Sequence, residues 1–311
     1  MSCSRRSVRC ECEHKEGEVS WFALAVISAL LSAAAAILQK KVLLRTHALE
    51  FSFLLSAVIM VLSFCIPLPA GATALEPMSF AILAGKSVLG GCAFLFVMMS
   101  LERDQISRVL PLLGLTPAVT AFMSWGVMGE PLLSWEWLGI ALMTGGVYLV
   151  ESSSRSRSGL SQRAAFLSGR QYYIVAALLL FAVSSIADKD LLSTRGIDPR
   201  VILVAQHIVY CLVFGIFLLV RRTPMRSVFL HARTLWPYLA GIALLTIAYR
   251  FTQLEATQDA SVALVLAVKR TSILFASFFG GTLFADERLG PRIAGAVLIV
   301  GAGFVILRNV G

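Results

Sequence analysis

Charged side chains are scarce in this sequence. Only 14% of its 311 residues are Asp, Glu, Lys or Arg, against 58% hydrophobic residues, whereas a soluble domain carries about 25% and 45–50%. The mean hydropathy is +0.81. So little polar surface cannot solvate a folded sphere of this length, which excludes a soluble protein and leaves lipid as the solvent for much of the exterior. Acids are scarcer than bases, 18 against 27, giving a net charge of +9. Much of that excess sits in short segments between apolar runs, where Lys and Arg report membrane orientation rather than nucleic-acid binding. Enzyme motifs are lacking as well: there is no phosphate-binding loop, no His/Glu metal spacing and no nucleophile elbow. Neither catalysis, ATP as an energy source nor a cofactor is therefore expected.

Cysteine adds little. Cys65, Cys92 and Cys211 lie in apolar runs, where a thiol behaves as a small hydrophobe. Cys3, Cys10 and Cys12 have only His14 beside them and no second ligand pair, so no metal site is expected. A cleavable signal is not expected either. Polar residues including Glu11, Glu13, Glu16 and Glu18 precede the first apolar run, which ends in Lys40-Lys41 instead of a small-residue cleavage site.

What is present is a series of apolar runs. About 20 apolar residues in a helix cross a bilayer core, and that length places spans at 20–38, 51–69, 78–100, 106–128, 134–151, 172–187, 200–220, 235–254, 260–284 and 289–308. The expected fold class is therefore all-α integral membrane, with ten transmembrane helices. Residues 152–171 are polar and central, as a linker between halves would be. The division is a polar tail over 1–19, a five-helix unit over 20–151, the linker, and a second five-helix unit over 172–308.

The halves are related in sequence. Lys41-Val-Leu-Leu-Arg-Thr46 resembles Lys189-Asp-Leu-Leu-Ser-Thr194, 148 positions on. Gly129-Glu130 pairs with Asp286-Glu287 at 157, and Gly139-Ile-Ala-Leu-Met-Thr-Gly145 with Gly295-Ala-Val-Leu-Ile-Val-Gly301 at 156. Because five is odd, the second unit enters the membrane from the opposite side, making an inverted repeat. Such repeats are common in secondary transporters, with the substrate site near the midplane where the halves meet. The glycines of the fifth and tenth spans, Gly139, Gly145, Gly295, Gly301 and Gly303, are read as close-packing positions between helices.

These fragments, with Pro111-Leu-Leu-Gly-Leu-Thr-Pro117 and Asp286-Glu287-Arg-Leu289, resemble the drug/metabolite transporter superfamily, EamA type. The resemblance covers about 20 to 308. It implies two five-helix units, a small-molecule substrate and a multi-pass position in a bacterial cytoplasmic membrane, with both termini inside. It does not name the substrate, because that family carries very different metabolites.

Four basic residues fall within the spans: Lys86, Arg250, Lys269 and Arg270. Each costs about 2.5–3.5 kcal/mol near a helix centre on insertion scales and is expected to face a cavity or a partner. Lys269 lies about 4.5 Å from the midpoint of its span, and Lys86, Arg250 and His207 are displaced to the same side by about 4–8 Å. Four cations and a histidine thus share one layer. No Asp or Glu falls in the interior of any span; the nearest on that side, Asp188, Glu255 and Asp259, are expected at helix ends.

Two readings follow. The cations bind the carboxylate or phosphate of a substrate, with Lys269 and Arg270 as direct ligands, Lys86 and Arg250 shaping the field, and His207 as a polar or protonatable neighbour. Alternatively Arg250 or Lys269 reaches Glu255 or Asp259 for purely structural pairing. Neighbours on a helix point about 100° apart, so pairing explains Lys269-Arg270 least well. That dipeptide also resembles the phosphate-contacting pair of plastid sugar-phosphate translocators, which implies an anionic substrate. The function expected is secondary transport of a small anionic metabolite, with membrane lipid as surroundings and no nucleic-acid partner. An exporter of neutral or aromatic metabolites and a non-transporting scaffold or receptor are the alternatives.

Loop charges conflict with the resemblance over orientation. The N-terminal side carries 8 Lys and Arg and the other side 15, which by the positive-inside rule puts the termini outside. Most of that excess lies in the long segments after the fifth and seventh spans, where the rule is weak, so the termini are expected inside. A reporter enzyme fused after Gly311 should be active only on the cytoplasmic side, and external activity would reverse the assignment.

Overall fold

The computed structural model describes residues 4–69, 75–128, 134–152, 172–260, 262–285 and 289–307. The Gly129-Glu130 and Asp286-Glu287 fragments, the linker beyond residue 152, Cys3 and the side chains of Cys10 and Cys12 lie outside that description. Among the described residues all regular structure is helical: α1 (Ser4–Leu43), α2 (Ala48–Ser63), α3 (Pro77–Arg103), α4 (Ile106–Leu113), α5 (Thr116–Met128), α6 (Ser134–Ser152), α7 (Tyr172–Lys189), α8 (Pro199–Val220), α9 (Met225–Asp259), α10 (Val262–Lys269), α11 (Ser272–Leu283) and α12 (Leu289–Leu307).

Helix occupies every span expected from the sequence, but the edges differ in informative ways. By length and composition four helices can cross a membrane: Trp21–Leu43, Pro77–Arg103, Pro199–Val220 and Met225–Asp259. Shorter apolar helices cover Ala48–Ser63, Ser272–Leu283 and Ile293–Ala302. α9 begins ten residues before the 235–254 span, and at 35 residues it extends about 52 Å, well beyond an about 30 Å hydrocarbon core. Hydropathy marks only its lipid-embedded part. α7 runs on from Lys189 into a π-helical turn, Asp190–Thr194, so the 172–187 span ends too early.

The fourth and ninth spans are each broken once. In the fourth, Pro117 has no N–H to give to Leu113 O, and the Thr116 hydroxyl donates to that carbonyl instead at 2.6 Å. The ninth breaks at Arg270-Thr271, where Thr271, Ile273 and Leu274 donate to carbonyls three residues back, the tighter 3₁₀ pattern. A π-helical stretch, Ala276–Gly280, follows within α11.

The interior is one large apolar cluster with satellites. Phe51, Leu55 and Ile59 of α2, Leu101 of α3 and Ile242 of α9 lie at its centre. Large hydrophobes also face outward, including Val220, Trp236 and Leu244 at 60–73% exposure, as lipid-facing positions do. α1 packs on α9 and α3 on α7; α2 packs on α8; α2 also meets α9 and α3 meets α8; α6 and α12 form a separate close pair.

Several helix ends are capped by side chains from elsewhere. Lys40 of α1 donates to Leu101 O and Asp104 O at the end of α3, at 2.5 and 2.7 Å. Lys189 of α7 donates to Thr257 O and Ala260 O at the end of α9, at 2.8 and 3.0 Å. A cation at a helix C-terminus satisfies orphan carbonyls and complements the dipole. Glu102 accepts from the Ala48 N–H at the start of α2 at 3.1 Å. At the start of α8, Asp198 accepts from Arg200 N–H at 2.8 Å, and hydrogen bonds from Arg200 hold its carboxyl below the usual carboxylate range.

Close approach of α6 and α12 centres on a glycine the sequence reading passed over. A Cβ on Gly146 would lie 2.7 Å from Ile299 Cγ1 and 2.8 Å from Gly295 O, whereas one on Gly145 or Gly301 would meet nothing nearer than 4.0 Å. Gly146→Ala should therefore destabilise by about 1–3 kcal/mol through overpacking, and Gly301→Ala should be neutral. Thermal unfolding of the purified variants tests this, and equal melting points would remove the contact as the reason for the glycine.

Candidate functional site

Where α1 to α5 and α7 to α11 converge, the helices leave a cavity of about 190 Å³. That is below the about 300–1,000 Å³ usual for drug-sized ligands, a size for a small metabolite. Its wall includes His207, Arg250, Lys269 and Arg270, together with Gln206, Gln253, Thr116, Tyr210 and Tyr249. Among the described residues no carboxylate lines it. Four of the five residues singled out from the sequence thus meet in one cavity. Lys86 does not reach it: its side chain is 1% exposed and lies behind the wall.

The charge arrangement corrects the sequence expectation on one point. Asp188 is not at an exposed helix end. The π-turn carries helical structure past it to Thr194, and it is buried, 3% exposed. Its Oδ1 accepts from Lys86 Nζ and its Oδ2 from Arg250 Nη2, both at 2.6 Å. Gln206 Oε1 accepts from the same two groups at 2.9 Å each. Structural pairing of Arg250 therefore exists, but through Asp188 on α7, not through Glu255 or Asp259. Those two acids follow Arg250 on its own helix, where their side chains point away from it, while α7 packs alongside.

Lys269 and Arg270 differ in kind. Lys269 Nζ donates to Gln253 Oε1 and sits 4.5 Å from the centre of the Tyr249 ring, a cation–π contact. Arg270 Nη2 donates to Thr116 Oγ1 at 2.7 Å, while its buried Nε has no hydrogen-bond partner. Among the described residues, the hydrogen-bond and ring partners of this pair are neutral groups. The two side chains leave the helix break in different directions, one toward α9 and one toward the start of α5. His207 is buried; its Nδ1 lies 2.8 Å from Leu203 O, and its ring is 5.5 Å from that of Tyr210. Tyr210 in turn lies across Gly90 and Gly91 of α3, where any Cβ would strike its ring or hydroxyl.

The sequence reading missed Gln206, Gln253, Tyr249 and Thr116. The glutamines carried a usable signal, since an uncharged amide inside an apolar span also needs a buried partner. Thr116 carried none, because its role depends on the second broken helix arriving beside it.

A helical chain with an apolar exterior and a polar, cation-lined cavity between its helices has the build of a multi-pass membrane protein. Residues 19–152 match the EamA-like transporter family. The match covers somewhat less than half of the chain, and over that stretch the sequence is similar to an EamA-type unit of the drug/metabolite transporter superfamily. A crystal structure of another protein, 16% identical in sequence, superposes with a TM-score of 0.61 over 93% of this chain and 96% of that one, a likeness of fold. No curated protein matches the chain.

Asp188 neutralises two buried cations at once, so its removal strands both. Asp188→Asn should cost about 3–5 kcal/mol, the usual penalty for breaking a buried ion pair from one side. Adding Lys86→Met should restore part of it. Thermal melting of both variants is the measurement, and a melting point for Asp188→Asn equal to that of the unmodified protein would show that the triad holds nothing together.

Proposed function

We propose that this protein is a ten-helix secondary transporter of a small anionic metabolite, built as two inverted five-helix repeats and working by alternating access. The repeat is supported by its contacts. Replacing each of α1–α6 by the helix six further on maps the pairs α1–α9 and α3–α7 onto one another, likewise α2–α9 and α3–α8, and leaves α2–α8 and α6–α12 unchanged. α3, α4 and α5 end, start and start at 103, 106 and 116, and α9, α10 and α11 at 259, 262 and 272, each 156 positions later. The helix breaks recur at that spacing. The device by which Lys40 caps α3 recurs as well, in Lys189 capping α9, 149 positions later.

One observation carries the anionic substrate: Lys269 and Arg270 face the cavity with only neutral partners. A buried charge without a counter-charge is costly, and an oxyanion in the cavity would supply it. Arg250 is already balanced by Asp188, which leaves it to set the field. That balance also favours the second reading, a neutral or aromatic substrate with the cations serving structure.

Uptake of radiolabelled organic acids into proteoliposomes separates the readings. Arg270→Ala should reduce uptake by about tenfold or more, the cost of one lost charge-assisted hydrogen bond. Arg270→Lys should retain part, and Lys269→Gln should weaken apparent affinity. Undiminished uptake by well-folded Arg270→Ala would make the neutral-substrate reading the better one, and absence of any flux would leave a scaffold or receptor.

A further inference from the structure

We infer that Gln206 and Gln253 make this cavity a donor-rich site that accepts organic anions without an ammonium group, oxo or hydroxy acids in preference to the matching amino acids. The inference rests on the anionic-substrate reading and narrows it. Gln206 Oε1 receives Lys86 Nζ and Arg250 Nη2, each at 2.9 Å, and Gln253 Oε1 receives Lys269 Nζ. Ammonium and guanidinium groups only donate, so the amide atom facing them must be oxygen in both cases. The planar amide then turns each NH₂ away from the cation.

Both glutamines are buried, 3% and 5% exposed, and both are on the cavity wall. Among the described residues neither NH₂ group has a hydrogen-bond partner, which leaves both to a ligand. The carboxylate nearest the cavity, the group that would answer an ammonium charge, is spoken for. Both Asp188 oxygens are taken by Lys86 and Arg250 behind the wall. The Thr116 hydroxyl donates to Leu113 O and accepts from Arg270. His207 bonds the Leu203 carbonyl through Nδ1, which must therefore carry the hydrogen, leaving Nε2 as a neutral acceptor suited to a hydroxyl proton. An ammonium would sit among Arg250, Lys269 and Arg270 with no negative charge to answer it.

Matched ligands test this on the purified full-length protein by thermal stabilisation: pyruvate and lactate against alanine, 2-oxoglutarate against glutamate, phenylpyruvate against phenylalanine, with sodium sulfate as a bare dianion. At least one oxo or hydroxy acid should stabilise, with its amino-acid counterpart about tenfold weaker or more. Gln253→Glu would place a carboxylate against Lys269; it should abolish the oxo-acid effect and narrow or reverse the preference. An amino acid as effective as its oxo acid overturns this inference and leaves the anion reading standing. No stabilisation by any acid or by sulfate overturns both. If Gln253→Glu does not fold, the ligand pairs on the unmodified protein decide alone.

Discussion

A charge held away from water must find its opposite or be expelled, and in this protein Asp188 is where that requirement is met. One carboxylate, with an oxygen for each partner, holds Lys86 of α3 and Arg250 of α9 at 2.6 Å. Gln206 of α8 closes the set by accepting from both cations. Four helices are thereby fixed to one another at one depth. In lipid no hydrophobic force drives helices together, so a polar knot of this kind does positional work that an apolar core does in a soluble protein.

The knot also decides what the cavity presents. With Lys86 and Asp188 drawn behind the wall, the open face keeps cations and loses its only nearby acid. The remaining pair, Lys269 and Arg270, stands at a break in helical structure where 3₁₀ turns replace the α-helical pattern. Irregular backbone at membrane depth is tolerated where it lines a cavity, and both breaks do so through Thr116 and Arg270.

Much of this was legible from residues alone. Each described helix overlaps a span placed by apolar length, and four of them are long and apolar enough to cross a membrane. Depth counting along those spans put His207, Arg250, Lys269 and Arg270 in one layer, and they meet in one cavity. What failed was the partner. Asp188 reads as a helix-end acid because hydropathy falls at Asp188-Lys189-Asp190, while the helix continues through a π-turn that hydropathy cannot register. Lys86 shared the right depth but not the right face, since depth fixes a position along a helix and not around it. The contact of Arg270 with Thr116 was out of reach for a different reason: it joins positions 154 residues apart through two breaks, of which only one contains a proline.

Those two breaks bear on how the cavity could change access. A continuous helix transmits a tilt along its whole length, whereas a broken one lets its halves move separately. Here α4–α5 and α10–α11 are both divided, and the hydrogen bond from Arg270 to Thr116 joins one division to the other. Thr116 is at the same time the residue that replaces the missing proline N–H at Leu113 O, so a shift of Arg270 acts directly on the geometry of the opposite break. An anion drawing on Arg270 would compete for that guanidinium with the Thr116 hydroxyl. An anion bound there would act on the relative position of the half-helices through this one side chain, since Arg270 and Thr116 join the two breaks directly.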